Sequence, residues 1–554
     1  MLRIHELRIQ IPPEGTEAAD RDRRDAKIRK KAAGLLHVPA SRITGLHILR
    51  HGIDARKKPL LYDVYTVDVS LNAETEMRIL AQNRMPRGVE KSVTKPGFSV
   101  PQCASLRVKD RPVIVGAGPA GLFCALTLAE AGVLPILLER GDDTAQRDAA
   151  IDRFREGGAL DPESNIQFGM GGAGTYSDGK LYTGIKDPDG TCGRVLETLV
   201  TLGAPEDILY EAHPHIGTDV LRTVMTAMRA RLEKLGVEIR FRTRLDDLEF
   251  DSSGALCAVK TSGGEFAAKK LVLATGHSAR DTMESLYRRG IVMEQKAFAV
   301  GFRVAHPQVW IDQAQYGRKA GETLPPAVYK LTTTSPDGRG VYSFCMCPGG
   351  RIVNASSEQG MLCVNGMSER ARDGAFANSA IVTQITPDDY RDTGHPLEGM
   401  QFQREMERRA FRAGDGRIPV MMYGEFASRS GIGGSSGRVF SGELPDPSEA
   451  FAAGYQPADL TGILPDTLAG TILSAMRIFG DRIRGYDDPR TLFAGVESRT
   501  SSPVRIPRNG DGTAPGHAGI YPCGEGAGYA GGITSAAVDG IRTAGKLIAG
   551  YAAP

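Results

Sequence analysis

One stretch constrains this chain more than any other: RPVIVGAGPAGLFCALTLAEAGVLPILLERG, residues 111–141. An apolar run breaks at Gly116, Gly118 and Gly121, an Ala/Leu-rich segment follows, and a second apolar run ends in Glu139. That order predicts a buried strand, a glycine turn, a helix and a parallel strand. The G-x-G-x-x-G string alone has little force, because 67 of the 554 residues are glycine, well above the roughly 7% of average usage. The string recurs at Gly169 and Gly526. Context singles out the first match, which follows an apolar strand, opens a helix and has an acid about 20 residues on. Gly116 makes the tight turn, Gly118 lets backbone approach a pyrophosphate, and Gly121 lets helix and strand pack closely. The helix N-terminus offers N–H groups and partial positive charge to phosphate. Glu139 accepts from ribose hydroxyls, which leaves NAD and FAD equally open.

Composition removes other classes. Lys+Arg exceed Asp+Glu by only two, 68 against 66, so no global field draws the chain to nucleic acid or anionic lipid. Eight cysteines without a CxxC pair exclude a disulfide scaffold and a zinc ribbon, and no metal is expected. The start, MLRIHELRIQIPPEG, lacks the apolar core of a secretory signal, so a cytoplasmic setting is expected. Pro112 to Ala129 is uncharged and reaches a spanning length of about 18 residues. Its glycines and Pro119 make it strand, turn and helix, and no membrane crossing is expected.

Residues 1–105 read as a separate α+β module: strand LRIHELRIQI, a basic helix from Arg23 to Leu36, two alternating strands, and a helix over Ala73 to Asn83. About twenty Lys/Arg there face roughly a dozen acids. Solvated faces explain this; an RNA or acidic-partner surface is the alternative. Pro86, Pro96 and Pro101, with Gly88 and Gly97, mark a linker. From Leu106 the pattern is α/β, residues 300–495 are mixed and loop-rich, and the chain closes on a glycine loop and helix.

VIVGAGPAGLFCALTLAEAGVLPILLER, LVLATGHSARD and YPCGEGAGYAGGITSAAVDGIRTAG resemble the three separated FAD segments of glutathione-reductase-type flavoproteins. The resemblance implies FAD as cofactor. It places Pro119, Ala120 and Arg140 beside the first loop, Thr275 and Gly276 at a strand end, and Gly524, Glu525, Gly531, Gly532 and Ile533 in the closing loop. Glu525 stands where Asp is commoner in that group. FGMGGAGTYSDGKLYT, AHPHIGTDVL, YSFCMCPGGRIVNASSE, VNGMSERARDGAFANSA and VESRTSSPVRIP are similar to a bacterial and plastid family of FAD-dependent dehydrogenases or oxidoreductases, over most of residues 45–550. That family carries no assigned substrate.

Chemistry-bearing side chains cluster in a few motifs. In GGAGTYSDGK, Gly172 and Gly174 permit close approach, Ser177 can donate to phosphate, and Lys180 can polarise the flavin or a substrate oxyanion; a buried glycine turn with Lys180 solvated is the alternative. His277, after the ATG strand end, is suited to proton transfer at neutral pH; a structural bond to Asp281 or to backbone is the alternative. Cys345 and Cys347 in FCMCPGG read as buried and inert, since i, i+2 is a strained disulfide separation in a strand; a redox pair acting with flavin is the alternative. His213 and His215 read as structural, with Thr218 or Asp219 as a helix cap. Arg499 and Arg505 clamp a substrate carboxylate or phosphate, or bridge within the fold.

The expected fold is α/β: a Rossmann-like FAD-binding domain of glutathione-reductase type (106–300 and 496–554) with an inserted α+β cap domain (301–495) and the N-terminal module (1–105). The expected activity is hydride transfer between a small or medium organic substrate and flavin N5, with Lys180, His277 and Arg499 as catalytic candidates. No second strand–glycine turn–helix unit for NAD(P)H follows the first. An NAD(P)H-consuming monooxygenase or double-bond reductase is the first alternative, and an FAD-containing RNA-binding or scaffold protein the second.

Overall fold

The computed structural model describes residues 1–12, 21–81, 85–93, 97–100, 110–320, 324–390, 393–432, 439–440 and 442–552. Pro96, Pro101 and the expected boundary at 105/106 lie outside the described residues.

The constraining stretch folds as its pattern requires. Val113–Val115 and Ile136–Leu138 are parallel neighbours in a five-stranded sheet. Leu271–Leu273 and then Ile520–Pro522 extend the sheet on one side, and Glu238–Arg240 on the other. Four of these strands are short, apolar and largely buried, as expected where both faces are covered; the edge strand Glu238–Arg240 is polar and half-exposed. Helix Pro119–Glu130 begins with Pro at its first position, where the missing N–H costs nothing. It is buried almost all round because the closing helix Ile533–Ala552 lies against it. An antiparallel meander, Leu245–Phe250, Leu256–Thr261 and Gly264–Ala267, leads into the strand at 271.

The region read as mixed and loop-rich holds the largest sheet. Seven strands run in the order Thr332–Thr334, Gly340–Cys347, Phe376–Ile385, Phe298–Pro307, Leu492–Glu497, Ile418–Met422, Tyr455–Pro457. Phe298–Pro307 and Phe376–Ile385 pair along their whole length, and nearly every residue in both is buried. Their two-sided burial erases the alternation that marks a surface strand. Phe302, Phe376, Phe426, Phe479 and Phe493 fill the core beside helix Asp466–Arg482.

The N-terminal module is a four-stranded antiparallel sheet in the order Gly45–Lys57, Leu60–Ser70, Leu2–Gln10, Val89–Lys91, with helices Arg21–Leu36 and Ala73–Leu80. This is the split β-α-β arrangement of ferredoxin-like folds; the short fourth strand had no sequence signal. The module adds backbone pairing to the main body: His51 N–H donates to Tyr210 O and Ala212 N–H to His51 O, both at 2.7 Å. Some of its basic charge is spent on such contacts: Arg24 donates across to the Tyr210 hydroxyl of the main body, and Arg29 donates within the module to Ile43 O. The expected side-chain cap at helix Thr218–Lys234 is absent. Thr218 donates instead to Thr175 O, and Asp219 accepts from Arg370 N–H, so both tie neighbouring segments together. Among the described residues, no helix is long and apolar enough to cross a membrane.

Candidate active site

A cleft of about 380 Å³ opens at the C-terminal ends of the parallel strands, where such sheets bind ligands. Gly116, Gly118, Pro119 and Ala120 line it at the first loop, Gly172, Gly174, Ser177 and Lys180 at the second, Thr275, Gly276 and His277 at the third, and Glu525, Gly531, Gly532 and Ile533 at the fourth. Glu139, Arg140 and Arg499 line it too. Four chain segments far apart in sequence therefore converge on one groove.

Two expected contacts lie elsewhere. Gly121 is outside the lining; a Cβ there would sit 1.9 Å from Gly116 O, so its service is the close packing of helix on turn. Gly524 is outside it as well. Its N–H donates to Asp539 at 2.7 Å and an added Cβ would meet the Ala120 Cβ at 2.8 Å, which makes it a packing position.

Glycine backbone forms much of the groove wall, and at Gly116 no side chain fits. Gly116 has φ +105°, and a Cβ there would lie 2.3 Å from Ala274 O. Gly118 faces Gly172 across the groove, with 3.9 Å between a Gly118 Cβ and the Gly172 Cα. The loop at 165–172 is held by Arg147, fully buried, whose guanidinium donates to the carbonyls of Asn165, Ile166, Met170 and Gly172. Nothing in the sequence pattern marks Arg147 as the peg of this loop. Glu139 accepts from the N–H groups of Ala117, Gly141 and Gly169 at 2.8–2.9 Å. A carboxylate has about four acceptor sites, so Glu139 braces the first two loops and keeps capacity for a hydroxyl.

Side chains fix the polarity of each end. Arg140 is clamped by Glu163 and Asp281 and stacks 4.1 Å over Phe168. Asp281 is thereby taken, and His277 Nδ1 lies 3.3 Å from Glu525 instead. Its other ring nitrogen, Nε2, is buried without a hydrogen-bond partner. Ser177 Oγ donates to Gly174 O at 2.7 Å and accepts from Gly179 N–H, so it shapes its own turn rather than offering a free proton. Lys180 pairs with Asp178 at 2.9 Å and donates to Met346 O. Asp178, opposed by burial but held by Lys180 and Arg372, stays well below the usual carboxylate range. Burial opposes the Lys180 charge, but Asp178 together with Cys347 and Cys345 outweighs it and raises the ammonium pKa.

Arg499 reaches the cleft, but its fork is bidentate to buried Glu407 at 2.8–2.9 Å and also donates to Ser357. The structure thus shows pairing within the fold for Arg499. Arg505 lies over the Tyr529 ring at 5.0 Å. His215 is driven down to about 4, chiefly by burial and then by Arg372, and its Nε2 faces Arg370 O; it is a neutral structural histidine. The sequence reading missed Thr243 and Arg244, which follow a strand end of the parallel sheet, Phe344, which the large sheet brings over the cleft beside Cys345, and Asn365, which a separate two-stranded ribbon supplies.

The residues fit a flavin dinucleotide. A glycine groove runs from the Arg140 side to Lys180, and the orphaned His277 Nε2 awaits a polar group within it.

Comparison with known proteins agrees. The family described as FAD-dependent protein, C-terminal domain-like, matches residues 297–500; an FAD binding domain family matches 111–151; a domain of unknown function matches 1–70. A protein of Clostridium beijerinckii, described as an uncharacterized protein, is 41% identical over 531 residues, 95% of this chain and 96% of its own length. Solved structures with low similarity include L-proline dehydrogenase from P. horikoshii (11% identity, 80% of this chain, 94% of that chain, TM-score 0.33) and glycine oxidase from Bacillus cereus (12%, 80%, 95%, TM-score 0.30). With such identity sustained from end to end, and FAD-related families matched on both the glycine cradle and the sheet above it, the chain belongs with its Clostridium relative to a family of FAD-dependent oxidoreductases.

Proposed function

We propose that this oxidoreductase passes a hydride between a small organic substrate and flavin N5, with the substrate held between the glycine cradle and the large sheet. The observation that carries this reading is the shared lining of the cleft: Phe344 and Cys345 of the upper sheet, and Asn365 of the two-stranded ribbon Arg351–Asn354 and Val364–Met367, stand in one cavity with Lys180 and Gly172 of the lower body. The FAD, when bound, supplies the two-electron chemistry; the chain binds, orients and excludes water. Lys180 is charged and faces the cleft, suited to hold a substrate oxygen that gains negative charge. Glu525 beside Nδ1 orients the His277 ring, leaving Nε2 to take the substrate proton. Asn365 offers a polar anchor on the cap side.

Direct reduction by substrate is favoured over a resident pyridine-nucleotide site because, among the described residues, one parallel sheet carries the strand–glycine turn–helix unit. The test is an anaerobic visible spectrum of the FAD-loaded protein with NADH, NADPH and a panel of small amines, amino acids and hydroxy acids. Bleaching by a panel member but not by either nucleotide is expected. Rapid bleaching by a nucleotide alone would overturn the reading in favour of an NAD(P)H-consuming reductase or monooxygenase. In the His277→Gln variant, flavin absorbance is expected to persist while turnover falls by about 10²-fold.

A further inference from the structure

Strand Gly340–Cys347 loses its regular pairing with Phe376–Ile385 between Phe344 and Cys347. Within that bulge Cys345 has φ +45°, a region where a non-glycine residue is uncommon and persists only when its surroundings hold it. The irregular backbone presents Cys345 to the FAD cleft and leaves Cys347 fully buried two residues on. Cys347 Sγ lies 3.2 Å from Cys345 O, a contact that keeps the second sulfur folded back toward the first residue.

Two cations hold this bend. Arg303, fully buried and anchored to Glu497 at 2.9 Å and Asn378 at 2.7 Å, donates to Cys345 O at 2.6 Å and lies 3.5 Å from Cys347 Sγ. Lys180 donates to the intervening Met346 O. The Cys347 thiol, Lys180 and Arg303 together hold the Cys345 thiol well below its ordinary range against the effect of burial, while burial and its charged neighbour push Cys347 well above it. A thiolate at the cleft with a thiol behind it, both within reach of positive charge, is the arrangement of an exchanging dithiol rather than of inert core cysteines.

We propose that Cys345 and Cys347 are a redox-active dithiol/disulfide pair that exchanges two electrons with the FAD bound in this cleft, a reading that rests on FAD occupying it. In the oxidising direction the Cys345 thiolate and the Cys347 thiol form one S–S bond, and the Cys347 proton and two electrons end on the oxidised FAD. In the reverse direction two electrons and a proton from the reduced FAD break the S–S bond and restore thiolate and thiol.

The experiment uses the FAD-loaded full chain and two readouts. In an anaerobic dithionite titration, the native protein is expected to take up about twice the electrons per FAD that the Cys347→Ser variant takes, because a dithiol/disulfide couple carries two electrons. Separately, the air-oxidised protein is unfolded and alkylated with iodoacetamide before and after reduction, and the peptide carrying both cysteines is weighed. Both labels are expected only after reduction, while buried Cys363 and Cys523 label equally in both samples. Cys345→Ala, expected to match Cys347→Ser in the titration, guards against a folding defect peculiar to one variant. Equal electron uptake in native and variant proteins, or two labels without reduction, would overturn the proposal. Absence of flavin absorbance would strike the cofactor reading instead, and the alkylation result would still decide the pair.

Discussion

Gly118 and Gly121 sit three residues apart in one motif yet answer to different physics. Gly118 has φ −78°, which any residue adopts, and an added Cβ would find nothing closer than 3.9 Å. Gly118→Ala is therefore expected to leave the melting temperature of the FAD-free protein within about 2 °C, corresponding to a surface-sized change, while FAD affinity falls at least about tenfold. Gly121→Ala puts a methyl 1.9 Å from Gly116 O and is expected to destabilise by about 1–3 kcal/mol through overpacking. Thermal unfolding with and without FAD separates the two; equal loss of stability in both would refute this division of labour. Arg147 belongs to the same scale. Truncating it to Ala leaves four carbonyls of the second loop without their donor, and both stability and FAD retention are expected to drop.

Between elements, one buried join is ionic. Glu407 on helix Glu398–Ala413 accepts from Arg280 on helix Arg280–Arg288 and from Arg499 beyond strand Leu492–Glu497, all three groups being buried. Gln403 and Ser498 complete the hydrogen bonding. Burying such charges is costly, but removing one partner is worse because the others remain unpaired. Glu407→Ala is expected to cost about 3–5 kcal/mol, read as a shift of the denaturant midpoint. The sign with pH follows from Glu407 being held well below the usual carboxylate range by Arg280 and Arg499. Its contribution is complete above its unfolded value near 4.5 and is lost as pH falls toward the depressed folded value. A Glu407→Ala protein as stable as the native one at neutral pH would refute the clamp.

At the scale of the molecule, His51 latches the N-terminal module to the main body. Its ring nitrogens meet Glu211 at 2.7 Å and Asp63 at 2.9 Å, and the ring stacks on Tyr65. Burial opposes its charge, but the two carboxylates prevail and raise it from 6.5 to about 9. A raised folded value means that the contribution is complete below about 6.5 and disappears as pH climbs through 9. Roughly 1–3 kcal/mol is at stake. A melting curve series from pH 6 to 10 is expected to show a decline above pH 6.5 that His51→Gln flattens; parallel curves for the two proteins would remove the latch.

Much of the cleft is legible in the sequence, because a glycine turn and a strand-end carboxylate are local requirements written at fixed offsets in the chain. Gly116, Gly118 and Glu139 needed only the neighbours on their own strand–turn–helix unit, and the likeness to known FAD segments extended this to Thr275, Glu525 and Gly532. The large sheet was not legible, since strands buried on both faces, such as Phe298–Pro307, carry no alternation. Nor could local pattern show that Arg499 is consumed by Glu407 or that Cys345 turns toward the cleft. Those outcomes depend on a bulge and on pairing between residues far apart in sequence. The glycine turn and its acid can be read from the chain because their chemistry is local; the side chains that face them from above cannot, because strand register and burial are set by distant partners.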